Sequence, residues 1–347
     1  MNDDFLKLLK ESMVLIENYC EGQENQKLFQ LRFFDCIHSK IIPKYFKPEE
    51  NNHLTILFYK QLLNEIKKYD NNFYNEIHKG VPYFFIGWYS FLLKQYDQSI
   101  FYLDASLAED KKTHKKNDVW LHSGAANFFK LKANYSGAYN IFNDRKLPDL
   151  IFNLINKYNE LCEEIDTKIT IQEFTNKFVE KLIIEDNTAI ITTLYSFILE
   201  FEDIQEMIKL RSINGGTIEP MIIHLFKGAV IFETLIKRTN KRPDGKDFMV
   251  LNGLFTHETS PFVSKYPEFT INGGHIEQLN EILIPLINDE YSNFVSAAFN
   301  TVYKIRNSTA HNLSWDDVFI DDNYEKMFLQ IINSIFIVIQ REYIKTP

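Results

Sequence analysis

Apolar residues recur at intervals of three and four through almost the whole chain, and the strict alternation of a half-buried strand is scarce. That periodicity predicts an all-α protein. Only 12 glycines and 10 prolines interrupt 347 residues, so few positions force a helix to stop. An amphipathic helix must bury its apolar stripe against another element. The chain is therefore expected to form packed helices, and at roughly 100–200 residues per domain two domains of them. We place the division at 185/186, with residues 1–185 a helical sensor or interaction domain and residues 186–347 a helical bundle.

In the first part, Leu6, Leu9, Met13 and Ile16 fall on one face of an opening helix, and Leu57 to Ile66 resume the pattern after the turn-like Pro48-Glu-Glu-Asn-Asn52. Residues 81–145 read as a helical hairpin. Tyr83 to Asp97 form one amphipathic helix; Ser99, Leu103 and Ser106 line the next; Gly87 marks a close approach between the two. This hairpin resembles a single tetratricopeptide (TPR) unit, with serine at two positions where alanine is usual. Residues 120–142, with Gly124 and Ala138, offer at most a degenerate second copy, and an ordinary helical hairpin accounts for the same residues. Leu150 to Cys162 and Ile190 to Leu210 continue as helices, the latter with Leu194, Phe197, Ile198 and Phe201 facing inward.

In the second part, Gly215-Gly216 breaks the chain, Thr217 is placed to cap a helix, and Pro220 sits in its first turn, where a missing N–H costs little. That helix, about 218–238, is expected to bury Ile222, Leu225, Phe226, Ala229, Phe232 and Ile236. A loop with Pro243, Asp244 and Gly245 and an irregular stretch at 247–272 precede a helix at 275–288 that Pro285 kinks or ends. A further helix spans 290–309. The last begins near Asn323 and buries Met327, Ile331, Ile335, Val338 and Ile339.

Charge and cysteine content narrow the function classes. A formal net charge of −9 is not that of a simple nucleic-acid coat, although a local basic patch still serves to hold a polyanion. Cys20, Cys36 and Cys162 form no CxxC pair, and an odd count argues against a disulfide framework and a zinc cluster. The opening MNDDFLKLLK has no apolar signal core, and no run reaches about 18 consecutive apolar residues. The richest, Ile331 to Ile339, contains Asn333 and Ser334. We expect a cytoplasmic protein without membrane association, in which the sequons at Asn134 and Asn307 carry no glycan.

The most informative stretch is Val302-Tyr-Lys-Ile-Arg306-Asn307-Ser-Thr-Ala-His311-Asn312. Histidine both accepts and returns protons near neutral pH, and a guanidinium offers fixed, always-charged donors to phosphate oxygens. Asn307 and His311, four apart on a helix, share a face, while Arg306 lies one position round. The stretch resembles the R-x4–6-H signature of the HEPN superfamily in its Arg-Asn form. It closes one helix, an acidic loop follows, and an apolar helix comes last. The earlier Phe232-Glu233-Thr-Leu235-Ile-Lys237 is similar to the first long helix of such domains. The resemblance covers roughly residues 186–347.

It implies a metal-independent endoribonuclease with Arg306 and His311 catalytic and Asn307 assisting. It further implies cleavage by 2′-OH attack to leave a 2′,3′-cyclic phosphate, no cofactor, and a homodimer through the C-terminal domain whose two motifs share one cleft. By analogy alone, the role is that of a toxin or anti-phage defence effector, triggered by a protein or small molecule at the N-terminal half. Two plainer readings stay open: helix-end capping by Arg306, Asn307 and His311, and a HEPN-fold interaction and dimerisation module without catalysis.

Other candidates surround this motif. Glu233 is a possible neighbour of the site. Lys237, Arg238, Lys241, Arg242 and Lys246 cluster within ten residues, opposed only by Asp244, and are read either as an RNA-backbone contact or as a solvated loop. His257 and His275 flank the irregular region without a compelling role. Lys111 to Lys116 reads as a solvated loop. Asp316, Asp317, Asp321 and Asp322 lack calcium-loop spacing, so helix capping by Asp321 or Asp322 is expected. Gly273-Gly274 alone is no phosphate loop, and the chain has no Walker lysine, HExxH or GxSxG.

Overall fold

The computed structural model describes residues 3–21, 33–115, 118–131, 145–161, 168–271, 279–288, 293–311 and 315–345. The protein is all-α: among the described residues there is no strand. Two compact units divide the chain close to Phe129.

In the first unit, α1 (Asp3–Glu21) buries Phe5, Leu8, Ser12 and Ile16, while Leu6 is 46% exposed. The expected face is thus one position out of phase at its start, because Phe5 sets its ring edge-on to Phe58 at 6.4 Å. Phe58 belongs to α2 (Asn52–Tyr69), which also buries Tyr59, Leu62 and Ile66.

The expected hairpin is present as α3 (Gly80–Leu92) and α4 (Tyr96–Thr113). Ser99, Leu103 and Ser106 are all buried. A Cβ on Gly87 would lie 2.8 Å from Leu103 Cγ and 3.0 Å from the Leu103 nitrogen, so only glycine permits this approach. Two details differ from expectation. The first helix stops at Leu92, because Lys94 turns the chain with φ 59°. It is also buried on almost every side rather than amphipathic, since six aromatic side chains cover most of its circumference and Pro82, Ile86 and Ser90 are buried on the remainder. His38 joins this core, its ring stacked on Phe85 at 3.5 Å and its Nδ1 bonded to the Tyr59 hydroxyl at 2.9 Å. Lys111 to Thr113 form the last turn of α4, and His114 stacks on His122 at 4.4 Å, which corrects the reading of this stretch as a loop. Residues 132–142 of the degenerate second copy, including Ala138, lie outside the described residues.

The second unit begins before the 185/186 division. Helix α5 (Lys146–Leu161) buries Leu147, Ile151, Ile155 and Tyr158. The Tyr158 hydroxyl donates to Gln340 Oε1 at 2.8 Å, and its ring meets Phe336 at 5.6 Å. Phe174 also sets its ring edge-on to Phe336. These aromatic contacts tie residues 146–184 to the C-terminal bundle, so the compact units divide well before the expected boundary.

The bundle itself comprises α6 (Thr188–Asn214), α7 (Glu219–Thr239), α8 (Leu279–Ile287), α9 (Phe294–His311) and α10 (Asp317–Ile339). Gly228 lets α7 approach both neighbours: a Cβ there would lie 2.5 Å from Phe197 and 2.7 Å from Ile331. His224 donates from Nε2 to the Phe197 carbonyl at 2.7 Å and accepts the Tyr324 hydroxyl on Nδ1 at 2.6 Å. Burial pushes this imidazole down to about 3, as it does His38.

Helix α10 starts earlier than Asn323. Asp316 caps it by accepting from the Phe319 nitrogen at 2.9 Å. Asp321, expected to be a cap, pairs instead with Arg211, which also holds Asp317. The helix running from Asp317 to Ile344 is long and apolar enough to cross a membrane, although a strict apolar count stops at Asn333. In this fold, 89% of its most apolar window is buried by protein.

Candidate active site

Arg306 sits near the end of α9, on the flank that packs against α7. Its Nε donates to Glu233 Oε2 at 2.8 Å. Lys237, one turn beyond Glu233 on α7, donates to Glu233 Oε1 at 2.6 Å and to the Met249 carbonyl at 3.0 Å. One nearly buried carboxylate therefore receives two cations. Burial alone would raise the Glu233 pKa. The hydrogen bonds from Lys237 and Arg306 outweigh that effect and hold the carboxyl below its ordinary value. Glu233 is thus a direct partner of Arg306, and Lys237 belongs to this triad rather than to a free basic loop.

The triad leaves donors over. Among the described residues, neither Nη group of Arg306 has a hydrogen-bond partner, and its side chain is 29% exposed. The three charges sum to about +1, given one carboxylate, one guanidinium and one ammonium. A carboxylate-anchored arginine with open donors is pre-positioned for a second anion, because guanidinium binds oxygen pairs in a fixed plane.

Helix register decides what accompanies it. At about 100° per residue, positions 306 and 311 are about 140° apart on α9. Between them runs an arc formed by Tyr303, Asn307 and Ala310, all at least partly exposed. The Tyr303 ring is held by Phe255 of the short helix Leu251–Thr256, 5.8 Å away. Asn307 forms no side-chain hydrogen bond among the described residues. His311 is the last residue of α9; its side chain lies outside the described residues, as does Asn312.

The rest of the basic cluster is largely neutralised. Arg238 pairs with Glu185 at 2.6 Å, Lys241 with Asp247, and Arg242 with Asp244 at 3.4 Å. Only Lys246 lacks an ion-pair partner among the described residues. The local count of one opposing acid missed Glu233, Glu185 and Asp247, of which Glu185 comes from another element. Exposed pairs of this kind are weak, so they reduce the cluster's net charge more than they fix its geometry. His257 ties its own turn through Thr259, whereas His275 and Gly273-Gly274 lie outside the described residues. Among the described residues no group of three or more His, Cys, Asp or Glu side chains is placed to hold a metal ion.

One residue escaped sequence reasoning. Lys304, two positions before Arg306, is buried. The signal that marks it is its place in the polar series Ser296, Asn300, Lys304 and Ser308, spaced four apart on α9, in which it is the one charged member.

No protein-family model matches the chain, and no match is found among curated proteins or solved structures.

Proposed function

We propose that this protein is a metal-independent endoribonuclease of HEPN type, working in the cytoplasm as a homodimer through its C-terminal unit. The observation that carries this reading is the arginine: Glu233 orients Arg306 through Nε, while among the described residues both Nη groups stay open beside an arc that ends at position 311. In the proposed step, the 2′-oxygen of RNA attacks the adjacent phosphorus, and His311 takes its proton. Arg306 neutralises the charge gathering on the non-bridging oxygens. The bond from phosphorus to the 5′-oxygen then breaks, and that oxygen gains a proton, which a second copy's motif supplies. The products are a 2′,3′-cyclic phosphate and a 5′-hydroxyl. Asn307, on the face of position 311, orients the imidazole or the phosphate. By analogy with such nucleases, the role is that of a toxin or anti-phage effector held in check by the N-terminal unit.

A second reading is a non-catalytic helical interaction module. It is favoured by the same ion pair taken as purely structural, since a paired arginine can simply staple α9 to α7. The two part on one experiment: purified protein with total RNA in EDTA, beside Arg306→Ala and His311→Ala. Cleavage by wild type alone supports the nuclease. Equal cleavage by all three proteins, or by none, sinks it.

A further inference from the structure

Three lysines are buried among the described residues: Lys79, Lys130 and Lys304. Two of them are fully accounted for. The Lys79 ammonium donates to the carbonyls of Tyr74 and Ile77, each at 2.8 Å. Lys130 donates to Glu180 at 2.7 Å. Lys304 differs. Only 7% of the residue is exposed, yet among the described residues it has neither an ion-pair partner nor a hydrogen bond. Its ammonium rests over the Tyr303 ring, 5.7 Å from the centroid. Burial holds its pKa below that of an ordinary lysine, and no acidic group opposes the shift.

A partly desolvated ammonium without a counter-charge does not favour the folded state, so folding gives no reason to keep one there. Its placement supplies a reason. At about 100° per residue, Lys304 is about 160° from Arg306 and about 20° from position 311. It therefore borders the arc of Tyr303, Asn307 and Ala310 on the side opposite Arg306, and it leans over Tyr303 towards that arc. The nitrogen is not among the fully enclosed unpartnered atoms, so a buried stem delivers an accessible head. Two cations with a part-exposed aromatic ring between them suit an unpaired strand, whose phosphates need positive charge and whose bases need a stacking surface.

We propose that Lys304 is a phosphate contact of the same site, the second cation flanking the arc that begins at Arg306, and that its ligand is the backbone of single-stranded RNA. The proposal rests on the ribonuclease reading for its choice of ligand, and the test keeps the two separable. The probe is a single-stranded 2′-O-methyl oligonucleotide, which lacks the attacking hydroxyl, measured by fluorescence anisotropy over a salt series. Its duplex serves as the comparison. The proteins are wild type, Lys304→Met, Lys304→Arg and the exposed control Lys209→Gln, all full length.

We expect Lys304→Met to bind the single strand about tenfold more weakly. Its dependence of log affinity on log salt should be shallower by about 0.7. Lys304→Arg should recover most of the loss, and Lys209→Gln should match wild type. Lys304→Met should melt no lower than wild type, because it removes a partly desolvated charge and keeps the buried stem. Unchanged affinity and slope in Lys304→Met, preference for the duplex, or no binding by wild type would each overturn the proposal. Cleavage of ordinary RNA is scored in parallel. Lys304-dependent binding without any cleavage supports the phosphate contact and removes the nuclease. Cleavage by wild type with binding indifferent to Lys304 does the reverse.

Discussion

The α3–α4 hairpin and the α7–α9 pair are both close helix contacts, and they treat their polar groups in opposite ways. In the hairpin the polar residues at the contact mostly serve the fold. Ser106 donates to the Gly80 carbonyl at 2.8 Å, Lys79 fills two carbonyls, and Glu109 accepts from the Lys79 backbone. Between α7 and α9, Glu233 takes one donor from each of two cations; among the described residues the Nη groups of Arg306 have no hydrogen-bond partner, and Lys304 has only the Tyr303 ring and neither an ion pair nor a hydrogen bond. Folding rewards satisfied polar groups, so surplus donors concentrated on one helix mark it as a surface kept for something else.

The sharpest way to break this contrast is at the surplus itself. Arg306→Ala and His311→Ala should each lower RNA cleavage by about 100-fold or more, with melting temperatures close to wild type. A loss of structure of the same size would place these residues with the hairpin's, as fold alone. Conversely, Gly87→Ala should leave cleavage of RNA by the folded protein intact but destabilise the chain by roughly 1–3 kcal/mol, as its Cβ meets Leu103. Urea unfolding measures this, and an unchanged midpoint would refute the close contact.

Glu233→Gln lies between the extremes. It removes the anchor of Arg306 but not the arginine, so cleavage should fall about tenfold, one charge-assisted hydrogen bond's worth. It also tests the titration. The Glu233 carboxyl is held below its ordinary value, so its contribution is present above the unfolded carboxylate pKa and fades as pH falls through the folded one. Wild-type stability should decline over that acidic window, and Glu233→Gln should flatten the decline.

The buried histidines give a second slope, higher up the pH scale. His38 and His224 stay neutral down to about 3, whereas the unfolded chain takes up protons near pH 6.5. Below that value the unfolded state binds more protons, so stability falls with pH by about 1 kcal/mol per unit per histidine. Denaturation between pH 6.5 and 4, compared with His224→Phe, measures it; identical slopes would mean that His224 titrates normally. The smallest effect belongs to the paired surface cations. Lys241→Gln or Arg242→Gln should change stability by less than about 0.5 kcal/mol and the salt dependence of RNA binding by less than Lys304→Met does. A larger shift would return these residues to the binding surface.

The patterned sequence carried the helical class, the hairpin and its glycine approach, and the clustering of Arg306, Asn307 and position 311 on one helix. Those features are local: a 3.6-residue repeat places Ser99, Leu103 and Ser106 on one face before anything packs on it. Phase and allegiance were harder to read. Helix α3 is apolar on nearly all sides, so it has no stripe whose direction could be read, and the start of α10 after Asp316 was hidden by four acids in a row of seven residues. In α1 two adjacent candidates, Phe5 and Leu6, competed for the buried face, and only Phe58 settles the choice.

Long-range packing supplied the rest. Glu233 and Arg306 are separated by 73 positions, and no spacing rule links them. That a lysine two residues from the motif would be buried without a partner depends on which elements close around α9. Helical periodicity is written by neighbours three and four residues away, whereas burial and pairing of charge depend on side chains that meet only after the helices have docked. Local order was therefore legible in advance, and the electrostatics of the site were not.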